Sequence, residues 1–137
     1  MIAARALVEG RCKSKEILYS SIGLSFWGQV DARSGKVISN THPLSGRTIG
    51  DKILAIPSGV GSCTGSQVLL ELLLNGNGPA GIITARPDPI LAISSVVASE
   101  IFDVSPIPIL SLNCDNAFES IRYFDTGSIE DNRIVFD

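Results

Sequence analysis

Ile53-Leu54-Ala55-Ile56-Pro57-Ser58-Gly59-Val60-Gly61-Ser62-Cys63-Thr64-Gly65-Ser66 is the stretch on which the reading of this chain turns. Ile53 to Pro57 is an unbroken apolar run of strand length, the pattern of a strand buried on both faces. A glycine-rich loop follows, then Gln67 to Leu74, mostly leucine, closing on Asn75-Gly76-Asn77-Gly78-Pro79. Glycine and proline just past an apolar run punctuate the C-terminal end of a helix. Strand, glycine loop and helix in that order predict the opening of a β-α-β unit.

Downstream the alternation continues. Ala80-Gly81-Ile82-Ile83-Thr84 is a second buried strand, and Asp88-Pro89 opens a helix through Phe102, with Asp as cap and Pro at the first helical position. Pro106-Ile107-Pro108-Ile109-Leu110 is a third strand, its prolines pointing to a sheet edge. Residues 50–112 thus read strand, helix, strand, helix, strand, with crossovers long enough for parallel pairing. Upstream, Ala6-Leu7-Val8 and Ile17-Leu18-Tyr19 read as strands joined through Gly10 and the polar Lys13 to Glu16. Leu24 to Val30 and Val37-Ile38 read as a β-hairpin around Asp31 to Lys36, and Asn40 to Gly46 as a loop in which Pro43 keeps His42 out of helical geometry. Asn113 to Asp137 is polar, anchored by Ile121, Phe124, Ile134, Val135 and Phe136, and reads as a short helix with one or two strands.

Composition bounds the rest. At 137 residues the chain makes one domain, and 45 % hydrophobic against 18 % charged residues excludes disorder. The longest apolar stretch, Val68 to Leu74, is broken by Glu71, far short of the roughly 18 residues a membrane span needs. The opening MIAARALVEGR carries no secretory pattern, which predicts a soluble, cytoplasmic protein. A net charge of −3 without a basic face argues against nucleic acid as partner. Cys12, Cys63 and Cys114 lie far apart, an odd number suited to reduced thiols, and with His42 the only histidine the sequence does not obviously assemble a metal site or a Ser-His-Asp triad with residues to spare.

The glycine loop admits three readings. A nucleotide loop needs Lys before its Ser or Thr, where Gly65 stands, and the dinucleotide fingerprint needs glycine where Thr64 stands. A purely structural loop would use Gly59, Gly61 and Gly65 for a tight turn, with Ser62 or Thr64 capping the helix. In the third reading Ser62 is a catalytic group whose ionised form is held by the helix N-terminus.

Four linked motifs then carry a resemblance: Gly23-Leu24-Ser25-Phe26-Trp27-Gly28-Gln29-Val30-Asp31, Ser34-Gly35-Lys36-Val37-Ile38, His42-Pro43-Leu44-Ser45-Gly46, and the strand and loop from Ile53 to Ser66. In order and spacing, from about Ala3 to Leu112, they resemble the small subunit or swivel domain of the aconitase X family. The resemblance implies an α/β fold: the swivelling β/β/α domain of the aconitase superfamily, with a β-rich N-terminal half and a parallel βαβαβ unit. It implies a swivel domain over residues 1–112, with 113–137 an extension packed on it or on a partner.

The function so implied is that of a hydro-lyase active only with a large aconitase X subunit or domain, which holds an iron–sulfur cluster and a small hydroxy-acid substrate. The cluster iron would act as a Lewis acid while Ser62 removes the proton beside the carboxylate. Gly61, Cys63, Thr64, Gly65 and Ser66 would shape the substrate site. Cys63 and Thr64 depart from the Ser-Arg of aconitase proper, which puts a tricarboxylate substrate in doubt. Phe26-Trp27-Gly28 and Gly61 to Gly65 look more like the branch acting on cis-3-hydroxy-L-proline than that acting on mevalonate 5-phosphate. Phe26, Trp27 and His42 are candidates for the active site or the subunit interface, and Asp31 and Arg47 for ordinary surface charges. A non-catalytic module binding a small anion, or a pure assembly subunit, are the rivals from other classes.

Overall fold

A computed structural model describes residues 1–59 and 64–137, without the side chains of Thr64 and Gly65. The strands are β1 (Ile2–Ala3), β2 (Arg5–Val8), β3 (Arg11–Tyr19), β4 (Ile53–Ile56), β5 (Gly81–Thr84), β6 (Ile109–Ser111), β7 (Thr126–Glu130) and β8 (Arg133–Phe136). The short element α1 (Phe26–Gln29) is a single turn with non-helical angles at Trp27 and Gly28, and the helical elements are α2 (Thr64–Leu74), α3 (Pro89–Phe102), α4 (Asp115–Ser120) and a 3-10 turn at Ile121–Tyr123. One sheet runs β1-β8-β7-β3-β4-β5-β6-β2, parallel from β3 to β6 and antiparallel elsewhere.

β4, β5 and β6 are buried along their whole length because both faces are covered. Side chains alternate between faces: Leu54, Ile56, Ile82 and Ile109 meet Leu69 and Leu72 of α2 and Leu91 and Ala98 of α3. Ile53, Ala55, Ile83 and Leu110 meet Phe118, Ile121, Ile129 and Ile134. The sheet curls: a Cβ at Gly81 of β5 would stand 2.7 Å from Ile129 Cδ1 of β7, which a flat sheet would hold three strand spacings, about 14 Å, away.

The helices follow their end signals. α2 stops in a Schellman motif, with Gly76 at φ +76°, Asn77 N–H on Leu72 O and Gly76 N–H on Leu73 O. α3 starts at Asp88, whose carboxylate accepts from Leu91 N–H, with Pro89 in the first turn.

Three expectations are corrected. The polar Lys13 to Glu16 is no connection but lies within β3, where a bulge between Cys12 and Lys15 puts Ser14 at φ +52° and its N–H on Ser128 Oγ. β2 lies against β6, and β3 joins β7 to β4. Of the hairpin, the Asp31 to Lys36 turn and an antiparallel bridge between Val30 and Val37 remain, while Phe26–Gln29 is a turn rather than strand. Pro106 and Pro108 precede β6, which starts at Ile109 and lies inside the sheet because β2 covers its outer edge. Residues 113–137 supply α4, the 3-10 turn and the β7–β8 hairpin, with Ile121, Ile129 and Ile134 in the core.

Candidate functional site

The loop after β4 starts where ligands of open α/β sheets bind, beyond the carboxyl ends of parallel strands. Three segments hold its root. Ala85 N–H donates to Pro57 O at 3.1 Å, Leu24 N–H reaches Ser58 O at 3.4 Å, and Gly59 N–H donates to Asp88 Oδ2 at 2.8 Å. Leu24 also forms a parallel bridge with Gly59, which brings the Gly23–Gln29 motif beside the loop. On the far side, Ser94 Oγ of α3 donates to Ser66 O of α2 at 2.7 Å.

Gly61, Ser62 and Cys63 lie outside the described residues, as do the side chains of Thr64 and Gly65. Helix α2 starts at Thr64 and has no acidic residue in its first turn, so the positive end of its dipole is not offset by a carboxylate of its own. Ser66 is half-buried and bonded through its carbonyl. The opening of α2 can therefore favour an anion or a developing negative charge.

Phe26 and Trp27 separate sharply. Trp27 (φ −79°, ψ 119°) and Gly28 (φ 90°, ψ −24°) have the angles of a type II turn, which requires a positive φ at its third residue and so favours glycine there. Ser25 N–H donates to Gln29 Oε1 at 2.7 Å and Ser25 Oγ to Trp27 O at 2.7 Å, bracing the turn. Phe26 is 1 % exposed in the core, while Trp27 is 63 % exposed at the apex. Ile38, whose N–H donates to Gln29 O, is an exposed apolar neighbour.

His42 is 4 % exposed and ties two loops together. Its Nδ1 accepts from Leu44 N–H at 3.0 Å, which leaves Nε2–H to donate to Gly23 O at 3.1 Å. Asp31 serves its own turn: the Arg33 N–H and the Ser34 hydroxyl bond its carboxylate and hold its pKa below the ordinary value. Arg47 pairs with Glu16 at 2.8 Å on the surface. Burial pushes the Cys12 thiol up, as suits an unreactive packing residue, and Cys114 is exposed.

Two features lay beyond the sequence reading. Asp88 is legible as a helix cap, yet nothing in local spacing shows that it also holds Gly59, and Ser94 carries no signal toward Ser66. A depression of about 200 Å³, lined by Tyr19, Ser21, Pro57, Ala85, Asp115, Phe118 and Glu119, opens at the carboxyl ends of β3, β4 and β5 on the α4 side. Among the described residues, no three His, Cys, Asp or Glu side chains gather as a metal site, and no helix is long and apolar enough to cross a membrane.

Comparison with known proteins agrees with this architecture. The chain is 48 % identical over 134 residues to the cis-3-hydroxy-L-proline dehydratase of Pseudomonas aeruginosa, a match covering 98 % of this chain and 22 % of that protein. It is 35 % identical over 118 residues to the phosphomevalonate dehydratase small subunit of Methanosarcina acetivorans, covering 86 % of this chain and 77 % of that one. The chain thus spans about a fifth of the first relative's length and about three quarters of the second's. The crystal structure of aconitase X from Thermococcus kodakaraensis, in its holo-form, superposes with a TM-score of 0.82 at 25 % identity, covering 99 % of this chain and 97 % of the other. The sequence model of the aconitase X swivel domain matches residues 1–136, and this chain belongs to that family.

Proposed function

We propose that this chain is the swivel portion of a dehydratase that removes water from a hydroxy acid, with Ser62 as the general base. The observation that carries the reading is the 48 % identity, over 98 % of this chain, to a protein named cis-3-hydroxy-L-proline dehydratase. The strand, loop and helix order supports the mechanism. A serine two positions before Thr64, where α2 opens, can hold negative charge against the N–H groups of the first turn, in place of a neighbouring histidine. Ser62 takes the proton beside the substrate carboxylate. Gly61, Cys63, Thr64, Gly65 and Ser66 present backbone amides and small side chains to that carboxylate.

The preferred substrate is cis-3-hydroxy-L-proline, and mevalonate 5-phosphate is the alternative favoured by the likeness to the Methanosarcina small subunit. Reaction requires a large aconitase X subunit or domain, the counterpart of what the Pseudomonas protein has beyond the matched 22 %. The described residues do not fit an iron–sulfur cluster, since Cys12 sits in β3 and exposed Cys114 before α4, with no further ligands gathered at either. We therefore assign the cluster to the large portion. Trp27, held out by its turn with Ile38 beside it, is assigned to the contact with that portion, while Phe26 and His42 brace the turn and loop behind it.

The test is to assemble this chain with its large portion and assay both substrates, with Ser62→Ala in parallel. Turnover of the hydroxyproline that collapses in the variant is expected. Activity on the phosphate ester alone would reverse the substrate order, and a variant within a few fold of the parent would remove Ser62 as the base.

A further inference from the structure

The glycine loop leaves the sheet at Gly59 and re-enters regular structure in α2, and both of its ends are bonded to the same helix. At the entry, the Asp88 carboxylate divides its oxygens: Oδ1 accepts from Leu91 N–H at 3.3 Å, capping α3, and Oδ2 accepts from Gly59 N–H at 2.8 Å. At the exit, Ser94 Oγ, on a residue 1 % exposed, donates to Ser66 O at 2.7 Å. The entry is also tight. A Cβ at Gly59 would stand 3.0 Å from Asp88 Oδ2 and 3.4 Å from Leu91 Cδ2, so the glycine is what lets the carboxylate close on the backbone. A cap needs only one acceptor oxygen. The second oxygen on Gly59, 29 residues away in sequence, is a further function of the same side chain.

We propose that Asp88 and Ser94 are positioning residues, a two-point clamp by which α3 fixes the entry and exit of the Gly59–Ser66 loop relative to the sheet. The proposal rests on the reading of that loop as catalytic. A group placed on such a loop inherits the precision of its two ends, and misplacement by about 1 Å can lower turnover on the order of a hundredfold. Neither residue touches substrate in this proposal. Their effect is on where the loop stands.

Asp88→Ser separates the two roles, because a short hydroxyl caps Leu91 but cannot also reach Gly59. Ser94→Ala removes the exit bond alone. Two readouts are taken: amide hydrogen exchange by NMR on the chain itself, and kcat and KM of the assembled enzyme. In Asp88→Ser we expect exchange at Gly59 to rise at least about tenfold with Leu91 still protected, kcat to fall about ten- to a hundredfold, and KM to stay within about threefold. Ser94→Ala is expected to lower kcat by less, and neither variant to shift the thermal midpoint by more than a few degrees. Unchanged Gly59 exchange in Asp88→Ser, or clamp variants that turn over like the parent while Ser62→Ala is dead, would overturn the clamp. A silent Ser62→Ala overturns instead the reading of the serine, and the exchange measurement still decides the clamp because it needs no activity.

Discussion

Within one sheet, the parallel strands β4, β5 and β6 are buried along their whole length, whereas the first six residues of β3 and the ends of β7 and β8 keep contact with water. The parallel strands have cover on both faces and tolerate no polar interruption before their carboxyl ends. The antiparallel flank tolerates a bulge at Ser14, exposed Lys13 and Arg11, and ion pairs such as Arg11 to Asp131 at 3.0 Å. Rigidity and tolerance thus occupy different halves of one sheet. A strand gripped on both faces makes a fixed base for the loop that leaves it, and the glycine loop leaves the middle of that half. The flank is a frame, and its surface pairs stabilise it little.

The sharpest way to break this contrast is Ser62→Ala in the assembled enzyme, where turnover is expected to fall about a thousandfold, the mid-range of what a positioned base supplies. A loss confined to a few fold would mean that chemistry does not depend on the parallel half as argued. Next comes stability. Leu54→Ala, in the middle of β4, should destabilise the chain by about 2–5 kcal/mol, against about 1 kcal/mol for Val135→Ala on half-buried β8, both read from urea unfolding. Equal losses would erase the distinction between core strands and frame.

Trp27→Ala sharpens the contrast on the outside of the molecule. Unfolding of the chain alone should be nearly unchanged, while affinity for the large portion, measured by calorimetry, should weaken by about 2 kcal/mol, or roughly thirtyfold. The smallest effect concerns Asp31. Its carboxyl is held below its ordinary pKa in the folded state by Arg33 N–H and Ser34 Oγ, so its contribution is complete above the unfolded value and is lost as pH falls through the lower, folded one. Asp31→Asn should therefore flatten the acid limb of the stability profile by lowering stability slightly at neutral pH while leaving the acid end unchanged, a result checked by thermal melts from acidic to neutral buffers.

The parallel half was legible because its signals are local. Ile53 to Ile56 and Gly81 to Thr84 are apolar runs bounded by glycine and proline, and Asp88-Pro89 and Gly76 mark helix ends by chemistry that acts within a few residues. The N-terminal half was not, because what decides it is distant. Lys13 to Glu16 reads as a connection until Ser128 accepts the Ser14 N–H, and β6 reads as an edge until β2 pairs with it from the other end of the chain. The same limit governed the site. The glycine loop is written in contiguous residues, but the Trp27 turn reads as strand, and the second bond of Asp88 and the bond of Ser94 to Ser66 depend on tertiary approach alone.

The placement of the first strands carries a consequence for how the molecule comes to be folded. Ile2 of β1 pairs with Ile134, Arg5 of β2 with Ser111, and Arg11 of β3 with Glu130, so apart from the end of β3, which pairs with β4 at Ile17 to Tyr19, the earliest segment of the chain finds its partners near the end. On a ribosome, β4, α2, β5 and α3 can collapse while these strands wait with open edges, and loop-closure entropy makes their pairing the slow step. The order of synthesis and the order of the sheet are opposed, and the interval between them is when this chain is most exposed to mispairing with its neighbours.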